Sequence, residues 1–162
     1  MSARNVFVRI GAVLFVLVAI LNLAIGTYHS MLFATRGSQS MFSSAYGIPV
    51  TATDMADPAR ALGADAIEVY SILLAGYGLL SIGATVWMLR GHRSGFWINA
   101  LFVGISQLAI VYGLIIPGRF AGLNGYIGPA LYVLGVALGA MGLTASGAST
   151  PASPAPRERL AR

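Results

Sequence analysis

The chain has 162 residues, 57% of them hydrophobic and 9% charged, with a net charge of +5. Charged residues make up about 25% of an ordinary soluble domain, so this composition excludes a water-soluble fold and points to helices packed in lipid. All ten cations are arginines without a run, which argues against nucleic acid as a partner, and the lack of cysteine excludes disulfides, thiolate metal sites and thiol–disulfide chemistry.

Taken in order, residues 1–9 carry Arg4 and Arg9 and lead into an apolar run from Ile10 to Gly26. That run exceeds the apolar core of a secretory leader, about 7–15 residues. It is read as a retained first span over about 7–28. Residues 34–56 are rich in Gly and Ser and contain Pro49, which predicts irregular chain. Met41, Phe42, Tyr46, Ile48 and Val50 make this segment more apolar than a solvated loop, so it either lies on the headgroup region or caps a site. Asp57-Pro58 is a helix start, Asp as N-cap and Pro in the first turn.

Span 2 covers about 66–89, and the turn Arg90-Gly91-His92-Arg93 is short enough to make spans 2 and 3 antiparallel neighbours. Ser94 can cap span 3, about 95–116, which Pro117-Gly118 ends. A glycine-rich loop, 118–125, leads to span 4, about 126–146. Residues 147–162 form an Ala/Ser/Pro-rich basic tail whose composition predicts disorder.

The expected fold is therefore all-α: a polytopic membrane protein, a four-transmembrane-helix bundle. Seven arginines (4, 9, 90, 93, 157, 159 and 162) fall on one side, and Arg36, Arg60 and Arg119 on the other with Asp54, Asp57, Asp65 and Glu68. The positive-inside rule then puts both termini in the cytoplasm and segment 30–65 outward. In span 4, Gly128, Tyr132, Gly135, Gly139, Gly142 and Ser146 form one seam at steps of four and three. Such a seam closes a bundle; the other use is a homodimer through span 4.

Polar residues within spans are costly and mark candidate sites. Most lie from the midplane outward: Asn22, His29, Glu68, Tyr77, Gln107, Tyr112 and Tyr132. They suggest an outward-facing pocket for a lipid-like or quinone-like ligand. Asn99, Ser106 and Gln107 recur at steps of seven and eight and should share a face. His29 with Asp65 and Glu68 is the sole candidate catalytic or metal cluster. One histidine is too few for a metal site, which wants three or four ligands, so no metal or cofactor is expected. His29 and His92 stand at opposite ends of the spans, about 30 Å apart, too far to share haem.

Glu68 opening a Gly/Leu-rich span, Arg90 in a short basic turn, and an apolar helix directly after it resemble the DoxX-like superfamily of small four-span bacterial proteins. The resemblance spans 57–117 and departs from the pattern in the long 30–56 segment and in the paired-arginine turn. It implies a bacterial cytoplasmic (inner) membrane protein associated with redox or quinone-linked complexes as a non-catalytic accessory subunit. Three functional classes follow: an accessory subunit or scaffold of a membrane complex, a ligand binder, and a membrane-embedded enzyme using Glu68 and His29.

Overall fold

The computed structural model describes residues 3–116 and 124–144. The helices are α1 (Ala3–Tyr46), α2 (Ala52–Met55), α3 (Pro58–Leu89), α4 (Arg93–Ile98), α5 (Gly104–Ile110) and α6 (Asn124–Thr144), with π-helical turns at Asn99–Val103 and Val111–Ile115. The helical run from Arg93 is the third span. There is no strand among the described residues. Four helices are long and apolar enough to cross a membrane, and large apolar side chains such as Leu79, Leu101, Leu108 and Val133 face outward. The protein is an integral membrane protein, an all-α bundle of four spans. The expected 118–125 loop and 147–162 tail lie largely or wholly outside the described residues.

Close approaches give the topology. Gly78 of α3 abuts Ala19 and Leu23 of α1, while Gly26 abuts Ser71 and Ala75, so α1 and α3 run antiparallel. Gly11 abuts Gly135 and Gly139, and Gly135 meets Leu14 and Phe15, so α6 also runs antiparallel to α1. Asn99 bonds Ser81 and Thr85, and Tyr70 bonds Ser106, which sets the third span antiparallel to α3. The bundle is up-down-up-down. The starts of α1 and α4 and the end of α6 gather at one end, with the Arg90–Arg93 turn. Phe15 and Phe96 pack edge to face there, 6.3 Å between centroids, within a core that includes Ala12 and Met88.

The span 4 seam serves this closure. Gly128 faces Gln107, Gly135 faces Phe15, Gly139 faces Phe96, and Gly142 is buried. Side chains there would hold the helices apart where dispersion and close packing are the main attraction.

Three local features differ from the sequence expectation. Helix continues to Tyr46 instead of giving way to loop at 34. It breaks once, at Gly37 (φ 77°, ψ 175°), then resumes over 38–46. The serines do not disrupt it: Ser40 Oγ donates back to the Arg36 carbonyl at 3.3 Å. The resumed piece is tied down by Gln39 Nε2 donating to the Val50 carbonyl (2.6 Å) and the Val50 N–H donating to Ser43 Oγ (3.0 Å). Met41 is buried and Phe42 lies against Gly63. Secondly, helix α4 begins at Arg93, so Ser94 is inside it and is not the cap. Asp57 does cap α3, accepting from the Ala59 N–H at 3.0 Å. Thirdly, the third span widens into two π turns. In a regular α-helix Gln107 would stand about 80° round from Asn99; the first wide turn takes up part of that offset, and both side chains are buried.

Asn99 is fully buried and links two spans: its Oδ1 accepts from Ser81 Oγ at 2.6 Å and its Nδ2 donates to Thr85 Oγ1 at 3.1 Å. Replacing it with Leu strands the Thr85 hydroxyl and leaves Ser81 Oγ only its 3.5 Å contact with the Phe15 carbonyl. Asn99→Leu should lower stability by about 1 kcal/mol, the range of interhelical hydrogen bonds in membranes. Thermal unfolding in mild detergent checks this; an unchanged midpoint would contradict it.

Candidate functional site

At the end of the bundle opposite the Arg90–Arg93 turn, the four spans part around a cavity of about 560 Å³. Its wall is mainly apolar, with Leu21, Ile25, Ile67, Leu74 and Ile110 supplying bulk. Glycines and alanines make the room, among them Gly113, Gly125, Gly128 and Ala109. Ala45 and Tyr46, from the helical piece beyond Gly37, also line it with Gly63. The segment after the break thus lies over the cavity, and Phe42 stacks on Tyr46 with centroids 4.6 Å apart.

The polar groups are few. Asn22 and Gln107 are buried amides on the first and third spans, and Gln107 Nε2 donates to Asn22 Oδ1 at 3.1 Å. Ser106 Oγ sits beside them, accepting from Gln107 Nε2 (3.3 Å) and Asn22 Nδ2 (3.5 Å). Its own proton goes to the Val103 carbonyl at 2.7 Å. Tyr70 OH donates to the Ser106 carbonyl at 2.9 Å, and Ser71 Oγ to the Ile67 carbonyl at 2.7 Å. These bonds tie spans one, two and three together at the cavity. His29, half-buried further along α1, makes no hydrogen bond among the described residues.

Of the seven residues singled out from the sequence, Asn22, His29 and Gln107 line this cavity. Tyr132 instead donates to the Ala100 carbonyl and packs on Phe15, nearer the other end. Tyr112 is 70% exposed. Glu68 and Tyr77 are half-buried and outside the lining. Tyr70, Ser71 and the small residues of the wall complete the site. An interfacial tyrosine and a structural one look alike in sequence, and a glycine announces room without saying what the room holds.

Among the described residues, Glu68 makes no hydrogen bond to His29, and none form a group of three or more His, Cys, Asp or Glu that could hold a metal. Arg60 pairs with Asp54. Asp54 closes a capping box with Thr51 at the start of α2. Hydrogen bonds from the Thr51 backbone and hydroxyl, and then the Arg60 guanidinium, hold its carboxyl below the ordinary aspartate range.

No family model, curated protein or solved structure matches this chain.

Proposed function

We propose that this protein binds a lipid-like molecule from the bilayer in the cavity between its four spans. The single observation that carries this is the cavity itself. A volume of about 560 Å³ lies in the range of small-ligand sites, about 300–1,000 Å³. Its lining is mainly apolar and comes from all four spans, so it can take a hydrocarbon chain. Its wall suits hydrocarbon, and the Asn22–Gln107 amide pair provides a place for a polar head.

The arginine-rich end is the cytoplasmic one in this reading, by the positive-inside rule. The acids Asp54, Asp57, Asp65 and Glu68 all belong to the other end. The cavity then lies in the outer half of the membrane, and a quinone-like molecule is one of the occupants of suitable shape.

Native mass spectrometry after gentle extraction tests the proposal. The wild-type protein should carry an apolar adduct of small-molecule mass. Ala66, in the lining and exposed, offers a way to fill the space. Ala66→Trp should lose most of the adduct while the bundle still folds. A wild-type protein that emerges bare would count against a bound lipid. A defined extra mass of protein size would instead favour the accessory-subunit reading.

A further inference from the structure

The hydrogen bonds at the cavity leave one atom unmatched. Gln107 is only 2% exposed, yet its Oε1 has no hydrogen-bond partner among the described residues. The neighbouring bonds fix which end of the amide this is. The Ser106 hydroxyl gives its proton to the Val103 carbonyl at 2.7 Å, so its oxygen can only accept from its neighbours. Asn22 Oδ1 also accepts. Gln107 must turn its Nε2 toward both, and Oε1 is left facing Gly128. A buried acceptor without a donor is costly, more so than one exposed to water.

Gly128 lies beside that oxygen. A methyl at this position would stand 2.9 Å from Oε1, in the place a donor would take. Gly128, Gln107, Gly125 and Pro129 all belong to the cavity wall. Pro129 has no N–H for the Gly125 carbonyl one turn before it. The wall therefore holds one buried acceptor, Gln107 Oε1, without a donor among the described residues.

Resting on the binding reading above, we infer that the cavity selects molecules whose polar head carries a hydrogen-bond donor, an O–H or N–H, over isosteric molecules whose head only accepts. Alcohols, phenols and primary or secondary amides of the membrane fit. Ethers, ketones and tertiary amides of the same length do not. The donor satisfies Gln107 Oε1 while the chain occupies the apolar wall.

Dodecanol and undecyl methyl ether test this, because they are isomers of nearly equal length and only the first has an O–H. Binding of each to the full-length protein in nanodiscs is measured by native mass spectrometry. Wild-type and variants are compared as the ratio of the two affinities, so that partitioning into lipid cancels. Wild-type should favour dodecanol by about tenfold relative to Gln107→Leu, as one hydrogen bond to a buried acceptor would give. Gly128→Ala, which covers Oε1 without removing it, should abolish the preference likewise, and serves if Gln107→Leu does not fold.

Equal ratios in wild-type and both variants would overturn the donor inference while leaving a binding cavity in place. A wild-type preference for the ether would overturn it too. Failure of both probes to bind, with Ala66→Trp indistinguishable from wild-type, would remove the binding reading and this inference with it.

Discussion

Gly26→Val should unfold or part the first two spans, with a loss of about 3 kcal/mol or more. A Cβ at Gly26 would press on the Ser71 carbonyl oxygen and stand 2.6 Å from the Ala75 nitrogen. Those atoms belong to the backbone of α3, which has no rotamer to change. The two helices must separate, and their shared dispersion contacts weaken along much of their length. Gly95→Val should behave in the same way against Ala84 and Met88.

Gly76 and Gly83 supply the control. They lie on the same helix α3, and a methyl on either would meet nothing within 4 Å. Gly76→Ala and Gly83→Ala should gain about 0.5–1 kcal/mol from lower backbone entropy in the unfolded chain. Thermal unfolding in detergent, followed by size-exclusion chromatography of the heated sample, reads both classes. If Gly26→Val were as stable as Gly83→Ala, the close contact between α1 and α3 would be wrong.

The second large effect belongs to Gly37. Its φ of 77° with ψ of 175° is a region that L-residues essentially do not occupy. Gly37→Ala should therefore cost about 1–3 kcal/mol, and the chain has an easy escape by running on as straight helix. That escape carries residues 38–46 away from the cavity, exposing Met41 and breaking the bonds of Gln39 and Ser43 to Val50. Hydrogen exchange should rise about tenfold to a hundredfold in 38–50, at 1.4 kcal/mol per factor of ten. The spans themselves should keep their protection. A variant whose exchange is unchanged in 38–50 would show that the break is not held by the glycine.

What could be read beforehand, and what could not, follows from how far each signal reaches along the chain. Apolar runs of about twenty residues announce spans because the bilayer enforces their length. The Asp57 cap depends on two adjacent residues, so it was legible as well. The helix over 38–46 was not, because glycine and serine composition averages over a segment whose only true break is one residue. The π turns have no local signature: the first lies where Asn99 and Gln107 must both face inward. Gln107 itself was legible as an amide in a costly place. Its unmatched oxygen was not, since that depends on where the Ser106 proton goes. Gly78 and Gly76 look equivalent in sequence, and only packing decides that one meets a backbone and the other faces outward.

The central place of α1 bears on how the protein is made. Its first half carries Gly11 and Phe15, which close against α6, the last of these four spans to be made. Spans one and two can zip together early through Gly26 and Gly78, but the face bearing Gly11 waits until α6 is inserted. A chain stopped before Asn124 displays that unmatched groove to the surrounding membrane. That groove physically distinguishes a chain without α6 from one whose four spans have closed.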